Sequence, residues 1–273
     1  MEERGDFELE QVTKNVFVET KVRGCDPGFV VTSNGIVLID VPIDIDYAKT
    51  WTEEIRTRGQ VRCIINTEHH MDHWFGDTIF STGTVISHEA AREAMLAMDV
   101  AYIRERTKVL YRDPLTIPNN YQLTFPNITY SENMTYYSGS HTFHLIHTPG
   151  HTAGQTAVYI PEEKVVFTGD AVFCENWTAV HDGTPEKWLD SLKIIENLDV
   201  RFIVPGHGRI CGKDYLTTQA AIVRGYMEAG EKLQAQGKSK NGIDDAVKRS
   251  IDPYFDIKDV GMRAGIVLPP NRR

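Results

Sequence analysis

Val61-Arg62-Cys63-Ile64-Ile65-Asn66 runs directly into Thr67-Glu68-His69-His70-Met71-Asp72-His73. The first six residues are mostly apolar and of strand length, the pattern of a β-strand covered on both faces, which places them inside an α/β protein. In extended backbone successive side chains alternate, so Glu68, His70 and Asp72 project together while His69 and Met71 point away. A turn at His73 brings that imidazole into the same cavity. So many metal-ligating side chains in so short a stretch are hard to explain as packing, because unpaired buried carboxylates and imidazoles are costly.

Upstream, Val16 to Glu19, Gly28 to Thr32 and Ile36 to Asp40 read as short strands, with Ser33-Asn34-Gly35 supplying the turn between the last two. Asp44 to Arg58 has helical character. Downstream, Gly76 to Phe80 reads as a short helix, Thr84 to Ser87 as a strand, and Glu89 to Val109 as one long helix with Ala, Met, Leu and Ile on one side. A second β-rich stretch follows: Tyr121 to Phe125, Met134 to Tyr137, Thr142 to His147, Gln155 to Ile160 and Lys164 to Thr168. Thr184-Pro185 opens a helix carrying Trp188, Leu192, Ile195 and Leu198 at helical spacing, Arg201 to Val204 is a further buried strand, and Asp214 to about Ser250 is mostly helical. Two β-rich stretches, each followed by helices, predict two β/α halves whose sheets pack face to face with helices outside. No repeat and no Pro/Ser/Gly-rich linker divides the chain, so residues 1–273 are expected to form a single catalytic domain with a helical C-terminal elaboration over about 212–273.

Three further segments place ionisable residues where a strand gives way to a loop: Thr148-Pro149-Gly150-His151-Thr152-Ala153-Gly154, Phe167-Thr168-Gly169-Asp170 and Val204-Pro205-Gly206-His207-Gly208. Strand ends are where α/β folds gather functional side chains.

Taken together, these residues resemble the metallo-β-lactamase superfamily, whose signature is HxHxDH followed in order by a His, a bridging Asp and a final His. The resemblance spans roughly residues 15 to 210 and implies a four-layer αβ/βα sandwich. It further implies that His70 and His151 with Glu68 hold a first metal, that Asp72, His73 and His207 hold a second, and that Asp170 bridges both. Glu68 is the departure, standing where the family usually has histidine; its alternative role is a hydrogen bond behind an underligated first metal. The implied cofactors are two divalent ions, zinc first among them, with manganese or iron admitted by the carboxylate at Glu68. Two such ions sharing a water would make hydroxide available near neutral pH and polarise the oxygen under attack. Asp72 and Asp170 are the catalytic candidates, with Asp72 either passing the proton to the leaving group or purely ligating.

The other histidines carry less weight. His69 faces away by alternation, and His88, His141 and His144 sit in strands or at a helix start, where a histidine is ordinarily structural. His147, four residues before His151, and His181, in the loop after Asp170 with Asn176 and Trp177, stand closer to a substrate pocket. The pocket walls are expected from about Glu89 to Asn133 and from Phe173 to Gly183.

Composition narrows the function classes. Acidic residues outnumber basic ones by 38 to 29, and no basic cluster forms a phosphate-tracking stripe, so nucleic acid is not expected as a partner. The N-terminus MEERGDFELE has neither a basic nor an apolar leader region, and no run approaches the length of a membrane span, which reads as a cytoplasmic protein acting on a small molecule, with a homodimer as the default assembly. Cys25, Cys63, Cys174 and Cys211 are scattered without a CxxC pair, as suits reduced structural thiols.

Within the superfamily, Asp170 points to ester, lactone or thioester hydrolysis, as in the glyoxalase II-like and lactonase-like branches, since the β-lactamases generally carry Cys or Ser there. A β-lactam hydrolase is the first alternative. A carboxylate-rich diiron redox enzyme or oxygenase is the second, although the flavodiiron pattern places its Glu at the second motif position and no flavodoxin-like segment follows. A metal-free binding protein is disfavoured by the otherwise full ligand set.

Overall fold

The computed structural model describes residues 9–80, 82–111, 113–180, 182–238 and 245–254. Strands β1 (Leu9–Gln11), β2 (Val16–Glu19), β3 (Gly28–Thr32) and β4 (Gly35–Ile39) are successive antiparallel neighbours. From β4 the sheet continues in parallel. Helix α1 (Ile45–Arg56) returns the chain to β5 (Val61–Ile65), and the short helix α2 (Met71–Trp74) with a 3-10 turn over Phe75–Phe80 leads to β6 (Val85–His88). Helices α3 (Glu89–Leu96) and α4 (Val100–Leu110) precede β7 (Ile128–Tyr130), which completes a seven-stranded sheet in sequence order.

The second sheet begins with β8 (Asn133–Ser138), β9 (His141–His147), β10 (Thr156–Ile160) and β11 (Val165–Phe167), again antiparallel. After β12 (Phe173–Cys174) and helix α5 (Pro185–Glu196), β13 (Phe202–Val204) joins β11 in parallel, and β14 (His207–Gly208) pairs with β12 as a separate two-stranded ribbon. Helices α6 (Tyr215–Ala235) and α7 (Asp245–Ile251) close the described chain.

Strand alternation assigns the layers. Val37, Ile39, Cys63 and Ile65 point inward to meet Phe143, Leu145, Val158 and Phe167 of the second sheet, making the central core. Their neighbours Ile36, Leu38 and Ile64 point outward onto Ala48, Trp51 and Ile55 of α1. On the far side, Ala157, Val166 and Ile203 turn outward onto Trp188, Leu192 and Ile195 of α5 and Leu216 and Val223 of α6. The result is the expected four-layer αβ/βα sandwich. The helical C-terminal region is thereby part of the outer layer through α6, while residues 255–273 of that region lie outside those described.

Three expectations are corrected. The helix expected over Glu89 to Val109 is two helices, because Asp99 is extended and its side chain caps α4, accepting from Tyr102 N at 2.6 Å. Tyr121 to Phe125 form no strand: Tyr121 donates its hydroxyl to Phe75 O at 2.6 Å, and its ring, with the side chains of Leu123 and Phe125, packs against the cluster that holds Trp74 and Phe75. The sheet partner of β6 is instead Ile128–Tyr130, whose Ile86↔Ile128 register follows directly on that packed segment. Finally, extended backbone ends at His70, which is the N-cap of α2; helical turning, not strand alternation, therefore sets Asp72 and His73.

Among the described residues, no helix is long and apolar enough to cross a membrane.

Candidate metal centre

The parallel arrangement of β4 and β5 in one sheet and of β11 and β13 in the other brings the ends of four strands to one edge of the sandwich. Asp40 follows β4, the Glu68 to His73 segment follows β5, Asp170 follows β11 and His207 follows β13. The edge is sewn across the sheets, with Thr156 N donating to Thr67 O at 2.8 Å and Asp26 N to Gly206 O at 2.7 Å. His151 sits in a turn closed by Thr148 N donating to Gln155 O at 2.9 Å. Gly169 and Gly206 let the loops come this close: Gly169 has φ +48°, and a Cβ on Gly206 would stand 1.9 Å from Asp170 Oδ1.

Two groups of side chains converge there. Glu68, His70, His151 and Asp170 offer ligand atoms all within 4.8 Å of one another, and so do Asp72, His73 and His207. In the first group, His151 Nε2 lies 3.1 Å from His70 Nδ1, 3.3 Å from Glu68 Oε1 and 3.3 Å from Asp170 Oδ2. In the second, His207 Nε2 lies 3.4 Å from Asp72 Oδ2. Asp170 stands between them: its Oδ1 is 3.3 Å from both His73 Nε2 and His207 Nε2, while Oδ2 faces His151.

The donor set fits divalent cations. Bonds of about 2.1 Å to a tetrahedral zinc place neighbouring donors roughly 3.4 Å apart, close to the separations found. Glu68 Oε1, His73 Nε2 and Asp170 Oδ1 are buried and accept or donate no hydrogen bond, a state that a cation relieves. The imidazoles are also set in the right tautomer from outside. His151 Nδ1 donates to Ala179 O at 3.1 Å, and His73 Nδ1 lies 2.8 Å from Asp40 Oδ2, so each Nε2 lone pair is turned inward. His70 is reversed, its Nε2 lying 2.9 Å from Asp182 Oδ2 and its Nδ1 facing the group.

The electrostatics agree with this picture. Burial raises the pKa of Glu68, but the His70 and His151 imidazoles outweigh it and hold the carboxyl down at about 2. Burial likewise opposes ionisation of Asp170, yet His207 and His73 keep it well below the usual carboxylate range. In return, against burial, Glu68 and Asp182 lift His70 well above the usual imidazole range, and Asp170 lifts His207.

All seven residues picked out as ligands thus come together: Glu68, His70, Asp72, His73, His151, Asp170 and His207. His69 does not point away as alternation predicts; the turn at His70 leaves its ring 4.7 Å from that of His70, part-buried beside Asp182. His88 caps α3 by accepting from Ala90 N and stacks on His147 at 4.0 Å, while His147 lies 2.9 Å from Ala153 O in the turn that presents His151. His141 pairs with Glu163 at 2.8 Å, and His144 lies 3.2 Å from Thr135 Oγ1, both away from the centre. His181 lies outside the described residues.

Sequence reasoning missed Asp40, Asp182, the Ala179 carbonyl and Cys25, whose thiol donates to Asp72 O at 3.0 Å. Asp40 carried a usable signal, since it ends a strand as Asp170 does.

The model of the metallo-beta-lactamase superfamily matches residues 20–207, a span that contains every one of these ligand candidates. The chain belongs to the metallo-β-lactamase superfamily. Among its relatives there, a hydroxyacylglutathione hydrolase from Brucella anthropi is 25% identical over 208 residues, covering 71% of this chain and 73% of that protein. One from Bartonella henselae is 24% identical over 183 residues, covering 67% of this chain and 60%, less than two thirds, of that protein. In fold, a metallo-β-lactamase from Pontibacter korlensis superposes with a TM-score of 0.66 at 18% identity, over 80% of this chain and 99% of that one.

Proposed function

We propose that this metallo-β-lactamase superfamily member is a dinuclear metal-dependent hydrolase that cleaves an ester, lactone or thioester of a small molecule. The observation that carries the reading is Asp170, one oxygen of which faces each ligand group. Glu68, His70 and His151 would hold the first ion, and Asp72, His73 and His207 the second. Zinc suits the imidazoles, and the Glu68 carboxylate admits manganese or iron. When bound, such ions supply a hydroxide nucleophile near neutral pH and polarise the carbonyl under attack.

The residues of the chain arrange the rest. Glu68, His73 and His151 are sealed, whereas the side chains of His70, Asp72 and His207 are 18%, 17% and 13% exposed and form the open face from which a substrate enters. Asp72 is the carboxylate on that face, placed to take a proton from the attacking water and return it to the leaving alkoxide or thiolate. Asp170 is buried and shared between the groups, which suits it to holding geometry rather than moving protons. The relatives named hydroxyacylglutathione hydrolase favour an acyl thioester within this class.

The test is a panel of thioesters, lactones, aryl esters, phosphodiesters and β-lactams assayed with metal-analysed protein. At least one ester-type substrate should be hydrolysed with higher kcat/KM than any β-lactam. A β-lactam that outruns every ester, lactone and thioester reverses the ordering, and full activity in metal-free protein ends the mechanism. Coloured, iron-containing protein with no hydrolytic activity would favour the redox alternative.

A further inference from the structure

We propose that Asp252, near the far end of the described chain, is a positioning residue for the first metal site, acting through the loop that fixes His151. The inference rests on the dinuclear reading above. It adds a coupling between that site and the C-terminal region, some hundred residues further along the sequence.

The geometry runs in three steps. His151 is 1% exposed and is oriented by the carbonyl of Ala179, which accepts from its Nδ1 at 3.1 Å. Ala179 follows Thr178, a fully buried residue whose main-chain N–H donates to Asp252 Oδ2 at 2.9 Å. Asp252 is itself 1% exposed, and its other oxygen accepts from Tyr254 N at 2.9 Å. Its own N–H donates to Lys248 O at 2.8 Å, so the carboxylate is anchored to the end of α7. From α6, Gln219 Nε2 reaches Thr178 Oγ1 at 3.3 Å, gripping the same loop residue from a second side.

A buried carboxylate spent on main-chain N–H groups has a specific consequence. Without it, Thr178 N–H is left buried and unsatisfied, a costly state that the loop can relieve by moving. Any such movement displaces the Ala179 carbonyl and releases the His151 ring. Asp182 of the same loop faces His70 Nε2 at 2.9 Å, so the outward nitrogens of both first-site histidines depend on this one segment. The second site is braced differently: His73 is held by Asp40, at the end of β4, with no part in the loop. Loss of Asp252 should therefore weaken one site and spare the other.

The test is zinc titration of the metal-free full-length protein against a competing chelator, for wild type, Asp252→Ala and Asp252→Asn. Wild type should bind about two zinc ions. Asp252→Ala should weaken one step about ten-fold or more and leave the other within about two-fold, the size expected for loss of a support behind a ligand. Asp252→Asn can keep its one acceptor oxygen on Thr178 N–H, with its NH2 turned towards Tyr254 N, and should recover part of the loss. Linkage requires the converse, so zinc should slow hydrogen exchange in wild-type peptides over 176–180 and 248–254 together, a readout that decides the matter if Asp252→Ala does not fold. Equal weakening of both steps, no weakening of either, or protection confined to 176–180 overturns the role of Asp252. A wild type that binds no zinc overturns the metal reading itself, and this inference with it.

Discussion

Asp40 Oδ2 lies 2.8 Å from Nδ1 of His73, and its other oxygen accepts the main-chain N–H of Thr67 at 2.7 Å. One carboxylate thus orients an imidazole and pins the first residue of the segment that carries Glu68, His70 and Asp72. Asp40 is itself in the left-handed region, with φ 55°, at the step out of β4. Strain of that kind persists where surrounding contacts over-determine it, and here the contacts are those of the candidate metal centre.

Asp40→Asn is the informative variant, because asparagine tolerates the left-handed backbone as aspartate does. Its amide must turn an NH2 either towards His73 and the Thr67 hydroxyl, which share Oδ2, or towards the Thr67 main-chain N–H on Oδ1, so one side loses its acceptor. The fold should survive by circular dichroism. Metal affinity at the second group should fall by about 10–100-fold, the range typical of partners behind a ligand. Unchanged zinc affinity in this variant would show that His73 needs no such support.

Asp170→Asn is expected to act on both groups at once. Each carboxylate oxygen faces a different histidine set, so losing the charge withdraws half the bridge from each side. Metal analysis should fall from about two ions per chain to below one, and chelation of wild type should abolish hydrolysis. A variant that keeps one ion tightly and loses the other would place Asp170 in a single site.

How much of this was legible in the sequence depends on what each feature is made of. Strand alternation in Ile36 to Ile39 and the apolar run Val61 to Ile65 fix faces and layers directly, and the ligand candidates declare themselves because buried carboxylates and imidazoles need partners. The Ala179 carbonyl carries no side-chain signal at all. Asp182 and Asp252 are ordinary acidic residues until the chain folds over them. Tyr121 to Phe125 mimics a strand because aromatic residues serve equally well as packing against Trp74 and Phe75. The break between α3 and α4 rests on the cap at Asp99, which a continuous apolar stripe conceals.

A pH-dependent tie lies well away from the metal centre. Glu163 accepts from Thr13 Oγ1 and from Asn15 Nδ2 at 2.6 Å and pairs with His141, linking the β1–β2 turn to the β10–β11 turn of the other sheet. Burial raises its pKa, but the hydrogen bonds from Thr13, Asn15 and His141 win and hold it below the usual carboxylate range. A depressed folded-state pKa contributes stability that is present above the unfolded value and lost as pH falls through the folded one. Glu163→Gln should therefore lower Tm at pH 7 by ~2–4 °C, about 1 kcal/mol after allowing for solvent screening, and the gap should close as pH falls below the ordinary carboxylate range. A Tm difference that stays constant from pH 7 to pH 3 would assign the effect to packing instead.

Glu68 is the position at which this chain departs from its superfamily, and its surroundings make the departure testable. The carboxylate is fully buried, 2.8 Å from His70 Nδ1, 3.3 Å from His151 Nε2 and 3.6 Å from His73 Nε2, so it adds a negative charge at the boundary of the two groups. With Glu68, Asp72, Asp170 and a bridging hydroxide, four negative charges would face two divalent cations, and the cluster would be formally neutral. A less positive cluster acidifies its water less than an all-histidine site does, and an oxygen-richer first site accommodates harder ions such as manganese or iron. Glu68→His should shift metal preference towards zinc and lower the apparent pKa of the activity profile, provided the ring is accommodated between His70 and His151. Glu68→Gln, nearly isosteric, should loosen the first metal by removing charge without removing volume. Competition between zinc and manganese, followed by kcat/KM against pH, measures both effects. If both variants keep wild-type metal content, preference and pH profile, Glu68 is no ligand and the first group is completed by another donor, for which His69, with its ring 4.7 Å from that of His70, is the nearest candidate.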